Sequence, residues 1–115
     1  MMIAPGGIYP ADLGEGGRRP VIVVSREELN RGRYVLAVVC TSAHFELRRK
    51  LPNCVPFLAG QFGFSRDCVA QCENILSIDK SLLDLTNPLG VLDDTAWRDV
   101  IRAIGYVTAS ECEPM

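Results

Sequence analysis

The chain has 115 residues, of which 48% are hydrophobic, and a formal net charge of −2 at pH 7. This length predicts a single domain, residues 1–115, with enough apolar side chains for a core. The small negative charge excludes a generally basic protein that wraps nucleic acid, but it is compatible with a local basic site, because affinity follows the charges that reach phosphates. Because we find neither a leader-like segment nor a stretch long enough to span a bilayer, we expect a cytoplasmic protein that makes no membrane contact.

Short β-type segments dominate the first 80 positions of the chain. A proline in residues 8–13 restricts that segment to an edge or an irregular position. Residues 20–25 form a continuous β-branched run, which predicts a strand buried on both faces. Residues 34–41 are the longest strand candidate, residues 54–58 form a short one, and residues 67–78 form one or two strands.

The remaining predicted elements are turns, loops and one clear helix. Residues 43–52 are predicted to be a basic loop, and residues 79–84 a single helical turn capped by Asp79. Asp93 or Asp94 caps the C-terminal helix, whose apolar positions recur at helical spacing. These positions are Trp97, Val100, Ile101, Ile104 and Val107 or Thr108. The pattern predicts an α+β chain that is mainly β, a partly open barrel of five or six short strands with a C-terminal helix.

The chain contains five cysteines and a single histidine, His44. An odd number of cysteines without a Cys-x-x-Cys pair argues against both a disulfide framework and a metal site. We therefore expect no bound metal, and we expect reduced cysteines that are mostly buried and pack as small apolar side chains. They are Cys40, Cys54, Cys68, Cys72 and Cys112.

Two short motifs place polar side chains at the ends of predicted strands. The first, Gly17-Arg18-Arg19-Pro20, sets an arginine on a glycine hinge just before the β-branched run. The second, Val39-Cys40-Thr41-Ser42, ends a strand on two hydroxyls. A fixed positive charge and a hydroxyl, each held at a strand end, suit the binding of a phosphate. Consecutive strand residues point in opposite directions, so we expect only one of the two arginines to face such a site, and the position of the proline favours Arg19.

In the order and spacing of these and other segments, the chain resembles the MazF/PemK (Kid) family of toxin–antitoxin ribonucleases. The resemblance extends from about Gly7 to the C-terminal helix. It rests on Gly7-Ile8-Tyr9, Gly17-Arg18-Arg19-Pro20-Val21-Ile22-Val23-Val24-Ser25, Leu29-Asn30, Val39-Cys40-Thr41-Ser42, Leu51-Pro52-Asn53, Asp67-Cys68-Val69-Ala70-Gln71-Cys72-Glu73-Asn74-Ile75 and Ser77-Ile78-Asp79-Lys80-Ser81.

The resemblance implies an SH3-like barrel of the CcdB/PemK type, with five to seven short strands, that forms a homodimer. It also implies cleavage of single-stranded RNA without a metal or other cofactor. In that reaction the ribose 2′-hydroxyl attacks the phosphate and leaves a cyclic phosphate and a free 5′-hydroxyl. The implied partner is a cognate antitoxin whose disordered acidic and apolar tail lies across the RNA site.

Three residues match the family's catalytic positions. Arg19 matches the catalytic arginine, a planar charge clamp for two phosphate oxygens. Thr41 matches the conserved threonine, which holds a phosphate oxygen or orients the 2′-hydroxyl. Glu73 falls where the family commonly has an acidic residue, which either accepts the 2′-hydroxyl proton or orients Arg19.

Five further residues are expected to contact the substrate. They are Arg18, Ser42, Arg48, Arg49 and Gln71. The last of these stands where the PemK/Kid branch has an arginine, so the chain is expected to work more like the MazF branch. His44 lies three positions after Thr41 and titrates near neutrality, but no family motif carries it.

The alternative is a binding protein on the same barrel that has no catalytic activity. It would act like the gyrase poison CcdB or as an RNA-binding relic. The end of the chain, Glu111-Cys112-Glu113-Pro114-Met115, differs from the Trp-Gly-Ile end of the gyrase poison. The retained Arg19 and Thr41 argue against a relic, whereas the loop of residues 13–18, shorter than is usual in the family, argues weakly for one.

Overall fold

The computed structural model describes residues 2–110, which build one six-stranded antiparallel sheet and two helices. The sheet has the order β4-β5-β3-β2-β1-β6 and curls into a half-barrel. The strands are β1 (Gly7–Asp12), β2 (Arg18–Val23), β3 (Tyr34–Thr41), β4 (Cys54–Phe57), β5 (Cys68–Asp79) and β6 (Gly90–Val91), and the helices are α1 (Phe45–Arg48) and α2 (Asp94–Val107). The predicted α+β class with a partly open, SH3-like barrel is confirmed.

The sheet is buried on both faces, because alternate residues of its central strands feed two separate hydrophobic clusters. Ile22 and Val38 belong to the cluster under α2, whereas Val21, Val23 and Val39 belong to the cluster on the opposite face. The prediction that the β-branched run is buried on both sides is confirmed. A strand buried on both faces is held firmly in register, since a slip of one residue would exchange the two faces.

The longest strand is β5, with 12 residues, rather than β3, as the sequence predicts. It is a single strand that stays continuous across an irregularity in its pairing with β3. Val38 pairs with Ile75, but the next residue, Val39, pairs with Gln71, so three residues of β5 bulge out between them. A bulge bends a strand and breaks its alternation, which explains why the sequence left open whether one or two strands lie here.

Pro10 lies inside β1, which pairs with β2 on one side and with β6 on the other. Because β6 is only two residues long, it pairs with Gly7 and Ile8 and ends before the proline. The missing amide proton of Pro10 therefore leaves no ladder position empty. Strand β1 is not at the edge of the sheet. Pro10 itself, however, has no β6 partner beside it, which is the edge-like position that the sequence predicts.

Helix α2 begins where the sequence predicts, with Asp93 as its cap. The Asp93 carboxylate accepts a hydrogen bond of 2.8 Å from the backbone amide of Ala96. The helix packs against β4 and β5, and its most deeply buried side chains are Ala96, Val100 and Ala103. Ile101, predicted to belong to the buried stripe, is 43% exposed, whereas Ala96, Val100 and Ala103 are buried.

The predictions for the Asp79 turn and for the described cysteines are confirmed, and the structure adds a short helix to the predicted basic loop. Asp79 caps a short 3-10 turn after β5 by accepting a hydrogen bond from the Ser81 amide. The predicted basic loop contains the four-residue helix α1. Four cysteines are free and buried, and the fifth, Cys112, lies outside the described residues. No helix within residues 2–110 is long and apolar enough to cross a membrane.

Candidate functional site

The site begins with the pairing of β2 and β3. Val21 pairs with Val39 in an antiparallel register. The pairing of β2 with β3 ends at this pair; Arg19 lies two residues before Val21, and Thr41 lies two residues after Val39. Thr41 in turn pairs with Val69 of β5. The two motifs that the sequence singles out therefore meet at one end of the sheet.

An open cavity of about 500 Å³ lies at this end of the sheet. Three arginines border it, and no carboxylate of the described part of the chain does. Its lining is formed by Arg18, Arg19, Pro20, Cys40, Thr41, Ser42, Ala43, Phe64, Ser65, Arg66 and Cys68. A positive cavity on a chain of net negative charge is a local anion site.

The guanidinium of Arg19 is held by the loop that precedes β2. Its Nε donates a hydrogen bond of 3.1 Å to the Gly16 carbonyl oxygen. The loop is closed by its own backbone, because the Leu13 amide donates to the Gly17 carbonyl oxygen at 3.0 Å. Gly17 adopts a left-handed φ of 72°, which a residue with a side chain rarely does. The short loop thus orients Arg19, and within residues 2–110 the two terminal amino groups of this arginine are not engaged in hydrogen bonds.

Arg18 also borders the cavity, so the expectation that only one of the two arginines reaches it was wrong. The two guanidinium groups still point in different directions, because consecutive strand residues alternate between the two faces of a sheet. Arg18 donates from Nη2 to the Asp84 carboxylate at 2.6 Å. Hydrogen bonds from Thr86 and Asn87, together with the one from Arg18, hold the pKa of Asp84 well below its usual range. The charge of Arg18 is therefore shared with a carboxylate, whereas that of Arg19 is not.

Thr41 is 7% exposed and ends β3 at the cavity wall. Its hydroxyl oxygen accepts a hydrogen bond of 3.2 Å from the Ala43 amide, which leaves the hydroxyl proton available to an anion. Ser42 is exposed and borders the cavity as well. His44 is exposed, has a left-handed φ of 54° and does not border the cavity.

Sequence reasoning missed the part of the site that comes from the segment just before β5. Phe64, Ser65 and Arg66 border the cavity, although residues 59–66 read only as a turn. The side chain of Phe64 is buried and stacks on Phe57, with ring centres 5.1 Å apart. The sequence carries no local signal for this, because the pairing of β5 with β3 that brings the segment beside Thr41 is a tertiary feature.

Two predicted site residues on β5 lie away from the cavity. Glu73 stands in the bulge, is exposed, and accepts a hydrogen bond of 2.9 Å from the Asn53 side-chain amide. Gln71 is half-buried and pairs with Val39 on one side and with Cys54 on the other. Neither residue belongs to the cavity lining, and their predicted roles stay predictions.

The predicted basic pair on α1 also lies outside the cavity lining. Arg48 donates to the Ala43 carbonyl oxygen at 3.2 Å, which ties the helix to the end of β3. Arg49 lies over the ring of Phe45, 5.0 Å from its centre, and 3.6 Å from the Glu46 carboxylate. Both residues follow the cavity-lining residues 41–43 in sequence, and their contact with substrate stays a prediction.

The described part of the chain contains no cluster of three or more His, Cys, Asp or Glu side chains arranged to hold a metal ion. The chemistry that the cavity itself offers is that of fixed guanidinium charges and hydroxyl donors, which is the chemistry of an anion site.

This fold is that of a known class. The chain belongs to the PemK-like, MazF-like toxin family of type II toxin–antitoxin systems, whose family model matches residues 4–108. A curated relative, Endoribonuclease EndoA of Bacillus subtilis strain 168, is 34% identical over 110 residues, covering 90% of this chain and 92% of the relative.

Solved structures agree on the fold. An endoribonuclease in complex with its cognate antitoxin, from a mycobacterial species, has a TM-score of 0.79 at 24% identity, covering 97% of this chain and 99% of the other. The Mycobacterium tuberculosis toxin MazF-mt6 has a TM-score of 0.76 at 24% identity, covering 90% and 96%. A MazE–MazF complex from Deinococcus radiodurans has a TM-score of 0.73 at 21% identity, covering 94% and 96%.

Proposed function

We propose that this chain is a metal-independent endoribonuclease toxin that cleaves single-stranded RNA. The observation that carries the proposal is that Arg19 and Thr41 line the same cavity, which three arginines border and no carboxylate of residues 2–110 does. Membership in the toxin family and the likeness to the Bacillus endoribonuclease support the same activity. The substrate class is messenger RNA, with transfer or ribosomal RNA as further candidates, and the expected place of action is the cytoplasm.

In this proposal Arg19 stabilises the charge that develops on the phosphorus centre. The ribose 2′-hydroxyl attacks the adjacent phosphate, the bond to the 5′-oxygen breaks, and a 2′,3′-cyclic phosphate and a 5′-hydroxyl result. The guanidinium presents two free amino groups to the non-bridging oxygens and stays charged at any working pH. Its hydrogen bond to Gly16 sets its orientation before substrate arrives, so that little reorganisation is needed.

The hydroxyl of Thr41 donates a hydrogen bond to a phosphate oxygen or to the attacking 2′-oxygen. The Ala43 amide donates to this oxygen, so the rotatable hydroxyl proton is free to be donated to a substrate oxygen. Ser42 and Arg66 add a second hydroxyl and a further positive charge at the rim, and they bind the neighbouring phosphate groups. Arg18, Arg48, Arg49 and Gln71 are proposed to contact the flanking nucleotides, and Glu73 is proposed to take part in proton transfer.

The test is cleavage of a long, structureless RNA by the purified protein in EDTA. Arg19→Ala and Thr41→Ala are the site variants, and Arg98→Ala, an exposed arginine on α2, is the matched control. We expect discrete fragments with cyclic-phosphate and 5′-hydroxyl ends from the native protein and the control, and a loss on the order of 10²–10³ in rate for Arg19→Ala.

Intact RNA from a sample with a native circular-dichroism spectrum would overturn the proposal and favour the binding protein without catalytic activity. Cleavage that persists in Arg19→Ala at the native rate would overturn the assigned site. Cleavage that appears only without EDTA would overturn the metal-free mechanism.

We further propose that the chain forms a homodimer and binds a cognate antitoxin through a disordered tail that is acidic and apolar. The arginine-bordered cavity suits the acidic part of such a tail, and related toxins have been solved with MazE or with a cognate antitoxin. Co-expression with the adjacent reading frame, followed by co-purification and sedimentation, is the measurement. A homodimer alone, with no second chain retained, would count against the antitoxin.

A further inference from the structure

Two of the buried thiols border the cavity of the candidate site. Cys40 is the next-to-last residue of β3, and Cys68 is the first residue of β5. Their residues are only 1% and 5% exposed, so a reagent reaches them through the cavity rather than across the protein surface.

The strand register brings these two thiols to the same face of the sheet. Cys40 pairs with Ala70, which makes Cys68, two residues earlier on β5, its diagonal neighbour. Diagonal neighbours in an antiparallel pair have Cα atoms roughly 7–8 Å apart and Cβ atoms somewhat closer. The two cysteines lie on adjacent strands, on the same face of the sheet, and both border the cavity.

The two remaining described cysteines lie in a different environment. Neither Cys54 nor Cys72 borders the cavity. Burial raises the pKa of Cys54, and it raises the pKa of Cys72 to about 12. In contrast, the hydrogen bond with Cys40 lowers the pKa of Cys68, against the opposing effects of burial and of Asp67. Cys68 is thus the described thiol best able to act as a thiolate.

The charge around Cys68 favours anionic reagents. Arg19 and Arg66 border the same cavity, and no carboxylate of residues 2–110 borders it. A small disulfide that carries carboxylates is drawn to this cavity by the same field that is proposed to hold phosphates. The cavity of about 500 Å³ has room for part of such a molecule.

We propose that Cys40 and Cys68 are an oxidation site, a dithiol in the cavity wall that a low-molecular-weight anionic disulfide converts into an intramolecular disulfide bond. In the first step the Cys68 thiolate attacks one sulfur of the reagent, whose S–S bond breaks and releases one thiolate. That thiolate takes the proton of Cys40. The Cys40 sulfur then attacks the Cys68 sulfur and expels the second thiolate, which takes a proton from water. The protein dithiol loses two electrons and the reagent is reduced to two thiols.

Closure of this bond moves the cavity wall. Disulfides usually join Cα atoms 4.4–6.8 Å apart, so the diagonal pair needs a shift on the order of 1 Å. Cys68 is the first residue of its strand, and the turn before it carries Arg66 into the cavity. A bond formed with such a displacement is strained and is readily reduced again. The effect on RNA cleavage rests on the proposed function, whereas the oxidation itself does not.

The test uses the full chain with Cys112→Ser, so that the thiol outside the described residues cannot compete, and oxidised glutathione as the probe. After treatment, free thiols are blocked and the protein is digested and analysed by mass spectrometry. We expect a linked pair of peptides that contain Cys40 and Cys68, and unreacted Cys54 and Cys72. The matched controls are Cys54→Ser, which should still form the link, and Cys68→Ser, which should not.

Four free thiols after treatment, a link between Cys54 and Cys72, or glutathione retained on Cys68 without a link would each overturn the proposal. A second readout needs no variant: iodoacetamide should alkylate Cys68 of the native protein before the other described thiols, and preferential labelling of Cys54 would contradict the assignment.

RNA cleavage by the oxidised chain separates this inference from the proposed function. We expect a fall of about tenfold to a hundredfold, reversed by dithiothreitol, because a displacement near 1 Å at a catalytic site has effects of this size. A linked pair with unchanged cleavage would support the oxidation site and count against this cavity as the RNA site.

Discussion

Arg19 and Thr41 show how little local structure the candidate site requires. Each is set by one strand pairing and one hydrogen bond. Arg19 donates to the Gly16 carbonyl oxygen, and Thr41 accepts from the Ala43 amide. The chemistry of the proposed reaction depends on the fork of the guanidinium, whose two free amino groups match two phosphate oxygens.

Arg19→Lys tests that requirement. Lysine keeps the charge but offers a single ammonium group on a flexible stem, so it cannot make the paired contact or keep the bond to Gly16 in the same geometry. We expect kcat to fall at least about tenfold, with the unfolding free energy changed by no more than about 1 kcal/mol. Steady-state cleavage of a short RNA and urea unfolding measure the two quantities. Arg98→Lys is the control, and native kcat in Arg19→Lys would contradict the role of the fork.

Glu73→Gln tests the predicted proton acceptor. Glu73 is exposed and bonded to Asn53, and if it accepts the proton as proposed, its replacement should lower kcat by on the order of 10²-fold or more. The pH–rate profile discriminates further, because loss of a general base removes the acidic limb of the profile. A larger loss than in Thr41→Ala, together with that change in profile, would assign the proton transfer to Glu73.

At the scale of elements, helix α2 depends on a single capping side chain. The Asp93 carboxylate satisfies the Ala96 amide, one of the donors that a helix leaves free at its start. Asp93→Ala should lower the unfolding free energy by about 1 kcal/mol. Asp94→Ala removes the neighbouring carboxylate but leaves the cap, so it should lower the unfolding free energy less. Urea unfolding of the two variants measures the difference in unfolding free energy. Equal losses would show that charge near the helix start, rather than the cap, accounts for the effect.

The half-barrel is also shaped by a close approach of two backbone segments. A Cβ atom on Gly63 would lie 1.9 Å from the Leu89 carbonyl oxygen, and one on Gly90 would lie 2.4 Å from the Phe62 carbonyl oxygen. The turn before β5 and the start of β6 therefore touch at a point where no side chain fits. This contact fixes the turn that carries Phe64 and Arg66 to the cavity.

Gly63→Ala should destabilise the protein strongly. Gly60 is the matched control, because its φ of +93° resembles the +86° of Gly63 while nothing lies within 4 Å of its Cβ position. Both alanine variants carry the backbone cost of a left-handed residue, and only Gly63→Ala adds the overlap, which we expect to lower the unfolding free energy by about 1–3 kcal/mol more. Thermal unfolding of the two variants measures this difference. Equal melting temperatures would show that the two backbone segments separate without loss of stability.

At the scale of the whole molecule, the segment after β5 is held to the start of β2 by the ion pair of Arg18 and Asp84. The Asp84 amide donates to the Pro10 carbonyl oxygen, and Leu83 bridges to Ala11, so this segment covers β1 beyond the end of β6. The carboxylate and the backbone amide of Asp84 thus tie the segment after β5 to β2 and to β1.

This arrangement predicts a dependence of stability on acidity. The pKa of Asp84 is lower in the folded state than its ordinary value, so the carboxylate stabilises the fold above an unfolded pKa of about 4 and loses that contribution as the pH falls below it. Asp84→Asn lacks the titrating group, and its urea midpoint should therefore fall less than that of the native chain between pH 7 and pH 3. Glu46→Gln, which removes an exposed carboxylate 3.6 Å from Arg49, is the control. A urea midpoint of Asp84→Asn that falls with pH as much as that of the native chain would contradict the prediction.

The sequence by itself determined the parts of this protein that depend on neighbours along the chain. A β-branched run specifies the strand β2, a carboxylate before an amphipathic pattern specifies the start of α2, and the motifs around Arg19 and Thr41 carry the likeness to the toxin family. These features follow from backbone preferences and side-chain periodicity, which act over a few residues.

Only the tertiary structure decided which distant segments meet. The register of β3 with β5 brings Arg66 and Cys68 to the end of the sheet that carries Thr41, whereas Glu73 lies in the bulge, outside the cavity lining. Likewise, Ala96, Val100 and Ala103 are buried in α2 and Ile101 is not. The physical reason is that register and packing depend on the fit of whole faces across the sheet, which no local pattern in the chain records.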